Sequence, residues 1–235
     1  DKFFNYLLKK AKKRKIKVTS FGTHKKSSVC LKKIVKKGNK SKILLTIDNK
    51  KIDLQIGDIN INNVLASLAV FTELNIDISK IKNNFKHFES SEGRGKKHLI
   101  SRYNKKFKLI DESYNANPLS AKIAIKKLSS IKKEKFKKFL ILGDMLELGS
   151  RSKKYHEELF KVINKSDIDK VFIKGKETIF TYKHLKKEKR GNILQNDEDI
   201  DFSLGKMISN NDYLMIKGSN ATGLNDFSNR MIKGI

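Results

Sequence analysis

Cysteine is almost absent here: Cys30 stands alone among 235 residues. That excludes an intrachain disulfide and a thiolate metal cage, and it suits a reducing compartment, the cytoplasm. Proline occurs once, at Pro118, and no internal repeat or low-complexity linker breaks the chain. No apolar run approaches the length of a membrane-spanning helix, and no signal-peptide pattern opens the sequence, so membrane insertion is not expected. Acidic residues are scarce as well. Against 25 Asp and Glu stand 53 Lys and Arg, a net charge of +28. Such a balance suggests a nucleic-acid or anionic-surface binder. Yet only Arg14, Arg94, Arg102, Arg151, Arg190 and Arg230 are arginine, the residue whose fork reads phosphates and bases. The lysines are also spread along most helices rather than gathered in one stripe. Nucleic acid is therefore not the expected partner, and the Lys, Asn and Ile richness reads as the codon bias of an AT-rich genome.

Apolar residues make up 38% and charged residues 33%, enough for one large soluble domain or two small ones. The first residue is Asp and the chain opens inside an amphipathic helix (residues 3–8 and the Lys-rich turns after them), so a piece of something longer is expected. Strands are predicted over 16–21, 28–35, 43–47 and 52–56, the last two joined by a tight hairpin at Asn49-Lys50. Gly57-Asp58 breaks the pattern, and helices follow over 61–74 and 79–87. A polar, glycine-bearing stretch at 89–97 marks a domain boundary, giving domains 1–96 and 97–235. Beyond it, strands over 107–111, 139–142, 170–173, 193–195 and 213–216 alternate with helices over 118–131, 152–164, 177–187, 199–209 and 225–233. This rhythm predicts an α/β, doubly wound parallel sheet.

The stretch Leu109-Ile110-Asp111-Glu112-Ser113-Tyr114-Asn115-Ala116-Asn117-Pro118 carries the most chemistry. A buried strand ends at Asp111, a polar loop follows, and Asn117 and Pro118 have the character of an N-cap and first helical residue. At the carboxyl end of a parallel strand, a carboxylate is either a partner for ribose hydroxyls, beside amides that favour phosphate, or a solvated acid in a capped turn. Asn60 and Asn63 read as capping and leading a buried helix. Arg94, in a polar linker, reads as a solvated arginine. Lys217 faces a cleft or is one lysine among many. The histidines His24, His87, His98, His156 and His184 show no metal-ligand spacing, and Cys30 sits in a strand as packing. There is no nucleophile elbow and no Gly-x-x-x-x-Gly-Lys-[Ser/Thr] loop.

The 109–118 string resembles the Asp-Asp-Ser-Tyr-Asn-Ala-Asn-Pro motif of the Mur ligases that add D-alanyl-D-alanine to the peptidoglycan precursor, with Glu112 in place of the second Asp. Ile141-Leu142-Gly143-Asp144-Met145-Leu146-Glu147-Leu148-Gly149 is similar to a second string of that family. Gly57-Asp58-Ile59-Asn60-Ile61-Asn62-Asn63 matches a third, with Ile59 where the family has His. Gly93-Arg94 and Lys217-Gly218-Ser219 match two more, with Asn220 where many members have Arg. The resemblance implies the second half of a central, P-loop-type ATP-binding domain over 1–96 and a Rossmann-like C-terminal domain over 97–235. It implies an ATP-dependent amide ligase acting through an acyl phosphate on UDP-MurNAc-tripeptide and D-alanyl-D-alanine, in the cytoplasm and as a monomer. Asn60, Asn63, Arg94, Asp111, Asn115 and Asn117 would then meet ATP, and Lys217 and Ser219 the substrate. Mg2+ ligands and the P-loop are expected outside these residues, leaving this piece inactive alone. The rivals are another Mur-type or folylpolyglutamate-type ligase, and a non-enzymatic nucleic-acid-binding module.

Overall fold

The computed structural model describes residues 2–37, 40–57, 59–132 and 134–234. Asp58, expected to help break the pattern after the fourth strand, lies outside the described residues. Two compact units meet in sequence between Ser90 and Ser91.

In the first unit, helix α1 (Phe4–Lys13) carries Phe4, Leu7 and Ala11 at helical spacing, yet none of its residues is buried. A four-stranded sheet follows: β1 (Phe21–Gly22), β2 (Val29–Lys37), β3 (Lys40–Ile47) and β4 (Lys50–Ile56), lying side by side in that order. The strand expected over 16–21 is reduced to β1, whose parallel pairing with β2 spans two residues. Strands β2, β3 and β4 are antiparallel. Period-two alternation in β3 buries Ile43, Leu45 and Ile47 and turns Lys42, Leu44 and Thr46 away. Asp48 and Asn49, both left-handed, form the two-residue turn one position earlier than expected, because Asp and Asn tolerate that backbone. Helix α2 (Ile61–Glu73) lays Val64, Leu65 and Leu68 on this sheet. The helix expected over 79–87 is only α3 (Ile78–Ile81), followed by a 3-10 turn over Lys82–His87. Adjacent Asn83 and Asn84 are poor residues for continuing a helix.

The second unit is built on a six-stranded sheet. Its strands are β5 (Lys96–Arg102), β6 (Lys105–Glu112), β7 (Lys138–Gly143), β8 (Lys170–Lys174), β9 (Arg190–Ile193) and β10 (Tyr213–Lys217), in the order β5-β6-β10-β7-β8-β9. From β6 to β9 the pairs are parallel. Strand β5, unforeseen from the sequence, is an antiparallel edge hairpinned to β6 through left-handed Tyr103 and Asn104. Those residues give a primed turn without the Asn-Gly pair that normally advertises one. Because β5 begins at Lys96, residues 91–96 belong with the second unit rather than the first.

Strands β7 and β10 are almost continuously buried, as parallel strands covered on both faces must be. One face packs on α4 (Pro118–Ser129), α5 (Ser152–Glu157) and α6 (Leu159–Asn164), through Ala121, Ile125, Leu128, Leu159 and Ile163. The other packs on α8 (Asp197–Met207) and α9 (Leu224–Lys233), through Ile200, Leu204, Phe227 and Met231. The single helix expected over 152–164 is loosened at Glu158, which keeps near-helical angles. That expected over 177–187 is the short α7 (Thr178–Tyr182). Helix α8 starts two residues earlier than expected, because Asn196 caps it and Asp197, Glu198 and Asp199 suit its positive end.

Among the described residues three lysines are buried, and each caps backbone carbonyls. Lys138 Nζ donates to Ser129 O at 3.0 Å and to Ile131 O, and pairs with Asp167 at 2.6 Å. Lys189 Nζ donates to Ser166 O and Ile168 O, each at 2.8 Å. Both stitch the amino end of the sheet. Lys217 does the same at the opposite end.

Candidate functional site

All five parallel strands point their carboxyl ends to one edge, and the motif residues of the second unit collect there. Asp111 closes β6 fully buried. Its Oδ2 accepts the Gly93 amide at 2.7 Å, and its Oδ1 accepts the Ser113 amide at 3.2 Å and the Ser113 hydroxyl at 2.5 Å. Its backbone carbonyl accepts the Gly95 amide at 2.6 Å. Expected as a partner of ribose hydroxyls, Asp111 instead turns inward and binds the 91–95 segment to the loop after β6. Arg94 lies between the two held glycines. Its side chain is exposed and its guanidinium sits 4.5 Å from the centroid of the Tyr114 ring, a cation–π pair that orients the fork. Gly93 has φ of +69° and no room for a side chain, since a Cβ would stand 2.6 Å from that of Tyr114. Tyr114 N donates back to Gly93 O at 3.1 Å.

The remaining expected residues divide. Asn117 caps α4 in a capping box with Ser120, and Pro118 takes the first helical position, so its amide has a structural task. Asn115 is exposed, with its Oδ1 on the following amide, Ala116 N, at 2.7 Å. Lys217, expected to meet substrate, is 1% exposed; its Nζ donates to Glu112 O at 3.2 Å and to Asn115 O. Burial holds its ammonium below the ordinary lysine pKa, against the opposing pull of Glu112. Ser219 is also buried. It ties three loops together, its amide donating to Asp144 O at 3.0 Å while its Oγ accepts Leu146 N at 3.0 Å and lies 3.5 Å from Ala116 O. Asn60 and Asn63 belong to the first unit. There Asn60 caps α2, accepting Asn62 N at 2.9 Å, and Asn63 is exposed on the first turn.

Sequence reasoning overlooked two residues that shape this edge. His156 is buried, its Nε2 accepting Met145 N at 2.9 Å and its Nδ1 lying 2.9 Å from Ser152 O. Asp144 looks like a surface acid in sequence, yet it is 9% exposed and accepts the amides of Glu177 at 3.1 Å and Thr178 at 2.8 Å. Only the bulk of apolar residues before Asp144 hints at that burial.

Among the described residues one cluster has the composition of a metal site: Glu92, His98 and Asp111, with donor atoms within 4.8 Å of one another. Its carboxylates are already engaged, while His98 Nε2 is buried without a hydrogen-bond partner. Glu92 takes Lys96 at 2.7 Å and faces His98 at 3.2 Å, and Asp111 holds amide and hydroxyl donors. That set does not offer the oxygen octahedron that Mg2+ requires. An exposed arginine and exposed asparagines suit the flank of a nucleotide, but neither a triphosphate cradle nor a magnesium site is formed by these residues.

The family model for the Mur ligase, glutamate ligase domain matches residues 98–220. The UDP-N-acetylmuramoyl-tripeptide–D-alanyl-D-alanine ligase of Rickettsia prowazekii is 30% identical over 210 residues, covering 88% of this chain and 45% of that protein. The enzyme of the same name from Buchnera aphidicola subsp. Baizongia pistaciae is 29% identical over 227 residues, covering 92% and 46%. The chain thus spans about half the length of the curated relatives it matches. Among solved structures, MurF ligase from Thermotoga maritima in complex with ADP superposes with a TM-score of 0.74 at 22% identity, over 98% of this chain and 52% of that one. MurF from Acinetobacter baumannii gives 0.77 at 19%, over 98% and 50%.

Proposed function

The chain belongs to the Mur ligase family, and on that premise we propose that it forms part of an ATP-dependent ligase joining D-alanyl-D-alanine to UDP-MurNAc-tripeptide in the cytoplasm. One observation carries this reading: Ser219 hydrogen-bonds the loops after β6 and β7 to its own, and all three loops carry strings similar to those of the D-alanyl-D-alanine-adding ligases. The first unit would complete an ATP-binding domain, with Asn60 and Asn63 near the base. ATP with Mg2+ would supply the phosphoryl group that activates the carboxylate of UDP-MurNAc-tripeptide as an acyl phosphate, with ADP leaving. Its triphosphate cradle and metal ligands would come from residues outside this chain.

This chain's own residues would bind and orient. Arg94, stacked on Tyr114 and exposed between two clasped glycines, is placed to meet an oxyanion bidentately. Asn115 is exposed on the loop that follows Tyr114. Asp111 and Lys217 position these groups from below, the first through Gly93 and Gly95 and the second through the Asn115 carbonyl. Catalysis of acyl transfer rests on such positioning and charge neutralisation, and on keeping water from the activated acyl group.

The test is reconstitution. The chain is joined to, or co-expressed with, the ATP-binding half of a relative, and ATP-dependent consumption of D-alanyl-D-alanine and UDP-MurNAc-tripeptide is followed. Phosphate release that requires the dipeptide, and does not occur with L-alanine, D-glutamate or a diamino acid, supports the reading. Release driven by one of those amino acids instead would replace it with a sister ligase.

A further inference from the structure

The donor set that fails magnesium leaves an imidazole nitrogen unexplained. His98 Nε2 is sealed from solvent and makes no hydrogen bond, although Glu92 Oε2 stands only 3.2 Å away. At that distance a ring N–H pointed at the oxygen would bond to it. The oxygen therefore lies off the nitrogen's axis. Two lone-pair atoms so close, with no proton between them, call for a shared cation. In a tetrahedral zinc site the donors stand roughly 3.3 Å apart, each off the other's axis because both aim at the metal. The pair has that geometry.

The hairpin supplies a third donor. The register of β5 on β6 sets Lys96 opposite Asp111, so His98, two residues on, lies diagonal to Asp111 on the same face of the sheet. The donor atoms of Glu92, His98 and Asp111 fall within 4.8 Å of one another, and roughly 1 Å of side-chain movement closes them on one ion. Glu92, which is exposed, has room to make that movement. Neither carboxylate is used up. Lys96 holds Glu92 Oε1 and leaves Oε2 facing His98. Asp111 Oδ2 takes the Gly93 amide, and a carboxylate oxygen accepts more than one partner. Such outer bonds fix the orientation of a ligating carboxylate. Two carboxylates and a neutral imidazole balance a dication, and the nitrogen among them favours zinc over magnesium. Positions 92, 98 and 111 carry no ligand spacing in sequence, because a β-hairpin brings them together.

We propose that Glu92, His98 and Asp111 form a Zn2+ site whose fourth position is open to water. The assignment is independent of the ligase reading. A cation there joins the 91–95 segment to both strands of the hairpin, so zinc stiffens the mount of Arg94 between its two clasped glycines.

The whole chain suffices for the test. Zn2+ and Co2+ are titrated into it, with binding followed by calorimetry and, for Co2+, by the visible absorption of a tetrahedral ion. Amide and imidazole 15N shifts locate the site. Expected is one equivalent of Zn2+, with shifts at Gly93, Ser113 and His98 Nε2, and a higher Tm for the loaded chain. Affinity should fall at least tenfold in His98→Gln and in Glu92→Gln, and should weaken as acid protonates the imidazole. Since Glu92 is exposed, its variant tests the site without disturbing the core. Cys30→Ser should bind as the parent does. So should His184→Gln, at a second His–Glu pair, 3.6 Å apart, with no third ligand beside it among the described residues. The inference is overturned if zinc binds His98→Gln or Glu92→Gln as tightly as the parent, or if its binding is lost in the Cys30 or His184 variant. It is equally overturned if Mg2+ binds as tightly as Zn2+, or if no metal binds and Nε2 instead carries a proton shared with Glu92.

Discussion

The carboxylate of Asp111 accepts the amide of Gly93 at 2.7 Å, joining the end of a central strand to the segment that leads into the second unit. Since Gly95 also donates to the Asp111 carbonyl, the 91–95 stretch is part of the folded sheet domain. A fragment of residues 91–235 should melt cooperatively on its own. A fragment of 97–235 loses both bonds and leaves a buried carboxylate short of a donor, which costs about 2–3 kcal/mol, or roughly 5–10 °C in Tm. Calorimetry of the two fragments checks this, and equal Tm values would show that the clasp contributes nothing.

Asp111→Asn in the reconstituted ligase separates positioning from direct contact. With the carboxylate acting on Gly93 and Ser113, KM for ATP and for 2′-deoxy-ATP should rise together, by about tenfold. Tyr114→Phe keeps a ring under Arg94 and should behave as the parent, whereas Tyr114→Leu should raise both constants several-fold. A loss confined to ATP would place the Asp111 carboxylate at the ribose.

Lys217 gives a pH signature. Its native pKa is depressed by burial, so between that value and the ordinary 10.5 the unfolded chain binds more protons than the native one. Stability from this group therefore rises with pH through the window and is lowest when both states are protonated. Compared with Lys217→Met, the parent's advantage in urea unfolding should widen from pH 8 to pH 10. A constant gap would mean that the ammonium is not desolvated.

Gly175→Ala should destabilise the second unit by about 2–4 kcal/mol, combining a disfavoured φ with a collision against Asp144. Gly149→Ala, at a positive φ but with open space around it, should cost about 1 kcal/mol. The contrast, read by thermal unfolding, distinguishes crowding against Asp144 from backbone preference.

The sheet was legible in the sequence because each buried parallel strand is an unbroken apolar run, as in Phe139-Leu140-Ile141-Leu142, and because Asn117-Pro118 announces a helix. Strand β5 was not. His98, Leu99 and Ile100 follow a polar glycine-bearing stretch, and the Tyr103-Asn104 turn carries no glycine to mark the hairpin. The motif strings of the second unit collect at one edge of the sheet, but which of their side chains face outward was not legible. Asp111, Lys217 and Ser219 are polar residues at strand ends, where exposure is the natural expectation, and only the tertiary structure shows their polar atoms turned toward backbone groups.

The chain's richness in lysine has a chemical corollary. An amine-reactive label offered to the folded protein would modify its solvent-facing ammonium groups and spare Lys138, Lys189 and Lys217, whose nitrogens are sealed against backbone oxygens. Their labelling would begin only when the sheet opens: Lys138 and Lys189 with the amino edge, Lys217 with the carboxyl edge where the motif strings collect. The three side chains form an internal gauge of which end of the domain yields first.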